Sequence, residues 1–280
     1  MEKKIDMNKI ELDKRKGQYI LSNEDVIKRQ VDYAELTGKE TVLEIGPGLG
    51  ALTLKLAERA DRVVAIEKDY RLYSHLKNKI PPNVELINAD VMDIDIPKFQ
   101  VVVSNLPYQI SSPVTFKLLN LEFSRAILMY QKEFALRMIA NAGDKNYSRL
   151  SVNVYYNAEC KLMEFVSREA FRPKPNVDSA IVKLTLRSPP FSVVSENWFF
   201  KVVEALFSQR RKKIKNSLAS LIASQLGNKG IDGKSALKYI INELPFKDER
   251  VERLSPKEIG ELADCTLLSI QNIEEKIKPT

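Results

Sequence analysis

A chain of 280 residues with 44% hydrophobic composition is long enough for one large domain and a small one, and its composition is that of a globular protein. The net charge of +7 favours a polyanionic partner. A single histidine excludes histidine triads and histidine metal clusters, the two cysteines (Cys160, Cys265) stand in no metal or redox spacing, and no apolar run approaches the about 18 residues of a membrane span.

The start, Met1-Glu2-Lys3-Lys4, lacks the apolar core of a signal peptide, and with the cysteine usage it leads us to expect a cytoplasmic protein. A basic arm that includes Lys14, Arg15 and Lys16 turns apolar over Gly17 to Leu21, where it is expected to dock. Ser22 with Asp25 three residues on reads as a helix start, and Val26, Ile27, Val31, Ala34 and Leu36 recur at helical spacing. Thr41-Val42-Leu43-Glu44-Ile45 then runs as a strand into Gly46-Pro47-Gly48-Leu49-Gly50 and a helix expected over Ala51 to Ala60. Such glycines suit a nucleotide-binding turn, in which the backbone bends tightly and approaches a ligand more closely than a Cβ permits. The third glycine comes one residue early for a dinucleotide fold, and Pro47 sits inside the loop, which fits S-adenosylmethionine, a nucleoside without pyrophosphate.

The next strand, Arg62 to Ile66, ends in Glu67, about 20 positions after Gly46, where an acid meets ribose hydroxyls. Another, Val84 to Ile87, leads to Asp90, which could accept from an adenine amino group. Either acid alone could be a solvated loop residue. The histidine, His75, falls in a surface helix between these strands. Val101-Val102-Val103-Ser104 reads as a buried strand that delivers Asn105-Leu106-Pro107-Tyr108 at its carboxyl end, where open α/β sheets bind ligands.

Those four residues suit methyl transfer to an exocyclic amino group, whose lone pair is delocalised into the ring and is a poor nucleophile. The Asn105 side-chain oxygen and the Leu106 carbonyl could accept its hydrogens and localise that pair, Pro107 restricts Leu106 to extended conformations, and Tyr108 offers a ring on which a flipped base can stack. A strand followed by an ordinary β-turn would use the same residue types.

Ser112-Pro113 opens a further helix with proline at its first position, Ala126 to Tyr130 is the fifth strand, and Gln131 to Ala142 reads as a helix broken by Gly143-Asp144. Leu150 to Tyr156 alternates like a strand yet leaves room for a helix. Leu162 to Val166 and Ala180 to Leu186 are strand candidates, and Phe171-Arg172-Pro173-Lys174-Pro175 between them is expected to be loop throughout. Ser188-Pro189-Pro190 marks a domain boundary, after which helices are expected over Trp198 to Phe207, Asn216 to Leu226, Lys234 to Leu244 and Pro256 to Lys276, the last opened by a capping box at Ser255 to Glu258. The run Arg210, Arg211, Lys212, Lys213 and Lys215 has no acid between Glu204 and Asp232, and reads either as a phosphate-binding segment or as a solvated face.

The glycine turn and Asn105-Leu106-Pro107-Tyr108 occur together with Lys16-Gly17-Gln18, Tyr147-Ser148-Arg149-Leu150-Ser151, Phe171-x-Pro173-x-Pro175-x-Val177-Asp178-Ser179 and Arg253-Leu254-Ser255-Pro256. Over nearly the whole chain these resemble the ribosomal RNA adenine N6,N6-dimethyltransferase family of the KsgA type, and such polar, looped stretches have no reason to recur for packing alone. The resemblance implies an α/β fold: a Rossmann-like, seven-stranded S-adenosylmethionine-dependent methyltransferase domain (1–188) followed by a small all-helical domain (189–280) for RNA and ribosome docking. It also makes Leu150 to Tyr156 a helix. It places cofactor contacts at Tyr19, Leu21, Gly46, Glu67, Asp90 and Asn105, the first through its backbone only, because the family usually carries Asn or His there. The implied substrate is a pair of adjacent adenosines in a hairpin loop near the 3′ end of small-subunit ribosomal RNA, presented on the pre-30S particle to a monomeric enzyme without a metal. Loop bases are cheap to flip, and the arm at Lys14 to Lys16 and the run at Arg210 to Lys215 could follow phosphates on either side. A glutamine or DNA amino methyltransferase, or a non-catalytic assembly factor on the same fold, remain rival readings.

Overall fold

A computed structural model describes residues 17–228 and 233–277. The chain divides into two compact units, the first holding the residues up to Leu136 together with Asn157–Arg187, the second Arg137–Tyr156 together with the chain from Ser188 onward. No helix among the described residues is long and apolar enough to cross a membrane.

The first unit is built on a seven-stranded sheet. Its parallel strands are β2 (Thr41–Ile45), β3 (Arg62–Glu67), β4 (Val84–Asn88), β5 (Val101–Asn105) and β6 (Arg125–Gln131), linked by α2 (Ala51–Ala57), α3 (Tyr70–Lys77), the segment after β4, and α4 (Ser111–Leu119). Strands β7 (Ala158–Val166) and β9 (Ser179–Leu186) join antiparallel, giving the order β4-β3-β2-β5-β6-β9-β7. A pair of two-residue strands, β1 (Ile20–Leu21) and β8 (Phe171–Arg172), lies outside that sheet. Val101, Val102 and Val103 are fully buried, as are Val63, Val64 and Ala65 of β3, so these strands read as continuous apolar runs because both faces are covered. Each such valine removed from water contributes about 1.5–3 kcal/mol.

The register sets the site. Ile45 pairs with Ile66, Ile66 with Ile87, and Leu43 with Val102, so the carboxyl ends of β2 to β5 lie side by side. Strand order reverses at β2, which has β3 on one flank and β5 on the other. That reversal opens a crevice between the residues following β2 and β5.

The second unit gathers α6 (Arg149–Asn157), α7 (Glu196–Ser208), α8 (Ile214–Asn228), α9 (Gly233–Glu243) and α10 (Pro256–Ile277). Its core includes Tyr147, Val152, Tyr156, Trp198, Phe199, Leu206, Leu218 and Leu262. Polar groups within it are paired: the Trp198 indole N–H donates to the Ala263 carbonyl at 3.0 Å and lies 2.9 Å from the Thr266 hydroxyl oxygen. The capping box before α10 is formed, with Ser255 N–H donating to Glu258 Oε2 at 2.8 Å and Glu258 N–H to Ser255 Oγ at 3.3 Å.

Several local expectations are corrected. Helix α1 (Glu24–Tyr33) is capped by Asn23, whose Oδ1 accepts the Val26 N–H at 3.1 Å, while the Ser22 hydroxyl donates to the Ala170 carbonyl instead. Helix α2 stops at Ala57 rather than Ala60, and α5 (Lys132–Met138) stops well short of Ala142. Helix α4 begins at Ser111, which puts Pro113 third in the first turn, where an N–H has no helical partner to lose. Phe171 and Arg172 are strand and not loop, because the prolines that lack N–H groups lie beyond them. The alternation in Leu150 to Tyr156 misleads because α6 is buried on almost every side, with Tyr155 alone exposed among those seven residues, so neither period marks a solvent face.

Candidate active site

At the crevice a cavity of about 570 Å³ is lined by Gly17, Gln18, Tyr19, Gly46, Gly48, Glu67, Asn105 through Tyr108, and Phe171, among others. It brings together, within the first unit, the residues after β2, β3 and β5 with the segment before β1.

The glycine turn is tight for two distinct reasons. Gly46 has φ +72°, and a Cβ there would stand 3.3 Å from Pro107 Cδ. Gly48, at φ +60°, leaves room for Ile20, whose Cδ1 would lie 2.9 Å from its Cβ. In sequence these glycines are explained by ligand approach. Part of the demand comes from the protein's own side chains.

Glu67 is buried, and its two oxygens accept backbone N–H groups, from Gly48 at 3.2 Å and from Asp69 at 2.8 Å. Burial raises its carboxyl pKa, opposed by those hydrogen bonds. Asp69 is held below the usual carboxylate range by Arg71, and accepts from Gln18 Nε2 at 2.9 Å, which ties the segment before β1 to the loop after β3. Glu44, in β2, is fully buried, and desolvation pushes its carboxyl up to about 8.

Asn105 closes β5. Its Oδ1 is buried and has no hydrogen-bond partner in the protein. An unpaired acceptor of this kind costs stability, about 1–3 kcal/mol, unless a ligand satisfies it. Leu106 is buried, Pro107 has φ −55° and ψ 128°, and Tyr108 follows with its hydroxyl 2.8 Å from Ser179 Oγ and its ring centroid 5.6 Å from that of Tyr19. Burial raises the Tyr108 phenol pKa.

Two expected cofactor residues do not line the cavity. Leu21 is buried in the apolar core. Asp90 ends β4's turn with Lys68 Nζ at 2.5 Å and the Met92 N–H at 2.9 Å on its carboxylate, and Lys68 lowers its pKa. Lys117 holds that turn by donating to the carbonyls of Val91 at 2.7 Å and Ile94 at 2.8 Å. Lys14, Arg15 and Lys16 lie outside the described residues.

In the second unit, the basic run forms the turn from α7 into α8. It is less free than the sequence implied, because acids distant in the chain reach it. Lys213 and Lys215 share Asp248 at 3.2 and 2.7 Å, and Arg210 pairs with Glu252 at 3.5 Å while donating to the carbonyls of Lys145 and Asp144. Arg211 and Lys212 are exposed and make no ion pair among the described residues. Gln18, Asp69 and Phe171 at the cavity were not singled out as site residues, although Gln18 and Phe171 stand inside stretches that carry the family resemblance.

Residues 10–247 match the model of the ribosomal RNA adenine dimethylase family. The chain belongs to that family. It is 48% identical over 245 residues to a protein of Thermococcus gammatolerans named as a probable ribosomal RNA small subunit methyltransferase A, covering 87% of this chain and 85% of that one. Among solved structures it is similar to a dimethyladenosine transferase from Plasmodium falciparum, at 30% identity and a TM-score of 0.73 over 92% of this chain and 98% of that one. It is also similar to the 23S rRNA methyltransferase ErmE, at 30% identity and a TM-score of 0.60 over 88% and 99%. The seven-stranded sheet is thus the methyltransferase fold of this dimethylase family, whose methyl donor is S-adenosylmethionine. The cavity suits that donor on its own terms. It offers a backbone surface at Gly46 that a Cβ would obstruct, a buried carboxylate at Glu67, and an acceptor at Asn105 that the protein leaves unmatched.

Proposed function

We propose that this enzyme adds two methyl groups to N6 of each of two adjacent adenosines in a hairpin loop near the 3′ end of small-subunit ribosomal RNA, on the maturing pre-30S particle. The observation that carries the reading is the buried, unpartnered Oδ1 of Asn105 at the carboxyl end of β5. Relatives named for the small subunit stand at 43% to 48% identity, against 30% for the 23S enzyme, which favours the small-subunit substrate.

Bound S-adenosylmethionine supplies an electrophilic methyl group on a sulfonium. Glu67 would accept its ribose hydroxyls and the backbone at Gly46 and Tyr19 would meet its remaining polar atoms, with Asn105 at the boundary between donor and acceptor; Asp90 and Leu21, which do not line the cavity, would reach the donor only from its margin. Asn105 Oδ1 and the Leu106 carbonyl accept the two hydrogens of the target amino group, which localises its lone pair. Pro107 fixes the carbonyl in advance, so no reorganisation is needed as charge develops. Tyr108 holds the base by its ring face, and its hydroxyl, engaged with Ser179, sets the ring plane.

After one transfer a single hydrogen remains on nitrogen, and one of the two acceptors still aligns it while the new methyl group takes the other direction. Asn105 is neutral and does not trap the cationic product, which releases its proton to water. The ring-face contact with Tyr108 is indifferent to methylation at the amino edge.

Phosphate contacts are assigned to the exposed Arg211 and Lys212 of the second unit and, by sequence, to Lys14, Arg15 and Lys16. The protein would act as a monomer in the cytoplasm. Incubation with radiolabelled S-adenosylmethionine and unmodified small or large subunits, followed by digestion to nucleosides, tests the reading. Label in dimethyladenosine from small subunits is expected, and Asn105→Ala should abolish it while subunit binding persists. Label from large subunits alone, or monomethyladenosine as the end product, would overturn it.

A further inference from the structure

Helix α3 carries an aromatic strip that nothing in the reaction described so far uses. Tyr70, at its first position, is 68% exposed, more than any other large hydrophobic side chain among the described residues, and it borders the cavity. The opposite face, with Leu72 and Leu76, is buried. Tyr73 lies one turn on, its ring centroid 6.0 Å from that of Tyr70 and tilted 30°, and Lys77 follows with Nζ 5.8 Å from the Tyr73 centroid. Tyr70, Tyr73 and Lys77 therefore run along one side of the helix for about 10 Å at the helical rise.

The charge along the strip is predominantly positive. Between Lys68 and Lys79 the chain has Lys68, Arg71, Lys77 and Lys79 against Asp69; Arg71 is paired with Asp69 and Lys68 with Asp90, while Lys77 and Lys79 make no ion pair among the described residues. An exposed ring and a half-buried one interleaved with ammonium groups, bordering the cavity that Asn105 and Tyr108 also line, are the makings of a single-strand track: bases stack on aromatic rings and phosphates meet the cations.

We propose that the α3 strip is an RNA-binding surface on which a nucleotide flanking the target adenosine stacks against Tyr70, with Lys77 and Lys79 neutralising the backbone beyond it. The strip holds the loop open while the target base occupies the cavity, so Tyr70 is a positioning residue for substrate and not a cofactor contact. The inference rests on the RNA substrate reading above.

The test uses the full chain and three variants. Tyr70→Trp places a reporter at the strip, and the native indole of Trp198, buried in the second unit, supplies the background in the unaltered protein. Titration with a short oligoadenylate should quench the added fluorescence and leave the background unchanged. With small subunits as substrate, Tyr70→Ala should raise the KM for RNA about tenfold or more, the scale of one base–aromatic stack removed, while Tyr70→Phe stays near the unaltered protein and calorimetric S-adenosylmethionine affinity moves less than about twofold. Absence of quenching would overturn the proposal. So would loss of S-adenosylmethionine affinity in Tyr70→Ala with an unchanged KM for RNA, which would assign the ring to the cofactor. Absence of methyl transfer by the unaltered protein would count against the substrate reading, and the oligoadenylate titration would still decide the stacking.

Discussion

A Cβ built on Gly46 stands 3.3 Å from Cδ of Pro107, so the turn after β2 and the loop after β5 meet across the crevice with no space for a side chain between them. Gly46→Ala should therefore act twice. The φ of +72° strains alanine by about 1–2 kcal/mol, and the methyl group displaces Pro107 and with it the Leu106 carbonyl. Chemical denaturation should show the loss of stability, and calorimetry a loss of S-adenosylmethionine affinity. Gly143→Ala is the control: φ is +91° with nothing within 4 Å of the added Cβ, so it should lower stability by a comparable amount and leave cofactor binding alone.

Glu67→Ala should weaken S-adenosylmethionine binding by about 1.5–3 kcal/mol, the scale for hydrogen bonds to a charged group, with RNA affinity nearly unchanged. Its two backbone donors, Gly48 and Asp69, also lose their acceptor, so both turns should loosen. Because burial raises the Glu67 pKa, cofactor affinity should decline on acidification at a higher pH than an exposed glutamate would give. Calorimetry across pH checks both statements, and unaltered cofactor affinity in the variant would remove Glu67 from the ribose site.

Glu44 gives a stability prediction with a definite sign. Its carboxyl is raised from 4.5 to about 8 by burial, so between those values the unfolded chain releases a proton that the folded protein keeps. Folded stability then falls as pH rises through that window, by at most about 1.4 kcal/mol per pH unit, and levels off above it. Glu44→Gln removes the titration. Urea denaturation at pH 5 and pH 8 should show the variant gaining on the unaltered protein at the higher pH, and an identical difference at both would refute the assignment.

Arg211→Glu with Lys212→Glu should reduce affinity for small subunits and flatten its salt dependence by about 1.4 in the log–log slope, roughly 0.7 for each single-strand phosphate no longer neutralised. Arg210 is left in place because it ties down the carbonyls of Asp144 and Lys145, and its replacement would unsettle the second unit itself. An unchanged slope would mean that the turn is only solvated.

Strands β2, β3, β4 and β5 were legible because they are short apolar runs followed by glycine, acid or Asn-Leu-Pro-Tyr, which mark their carboxyl ends, and β6 because Ala126 to Tyr130 is a continuous apolar run. The part of the cavity formed by Gly46, Glu67 and Asn105 followed from their places at strand carboxyl ends, whereas the wall from Gly17 to Ile20 and Phe171 lies outside the sheet. Two things were not legible. Side chains from distant segments complete several local features: Asn23 takes the cap expected of Ser22, and Asp248 and Glu252 temper a run with no acid nearby in sequence. The other is the meaning of the recurring polar stretches. Tyr147-Ser148-Arg149-Leu150-Ser151 and Arg253-Leu254-Ser255-Pro256 meet through a buried hydrogen bond from the Tyr147 hydroxyl to the Leu254 carbonyl at 2.9 Å, and the Ser151 hydroxyl donates to the Arg137 carbonyl at 2.5 Å. These two stretches are thus tied into the second unit by hydrogen bonds, whereas Gly17, Gln18 and Phe171, from two of the others, line the cavity.

The second unit draws its core from two separated lengths of chain, Arg137–Tyr156 and everything after Ser188. During synthesis, Tyr147, Val152 and Tyr156 leave the ribosome well before Trp198, Phe199 and Leu262, the residues with which they are buried. Until those arrive, Val152 and Tyr156 of α6 lack the side chains they are finally buried among, while β7 and β9 are still being made. The nascent chain thus passes through an interval in which this helix is open to chaperones and to mispairing, and a ribosomal pause placed before Ser188 would lengthen it.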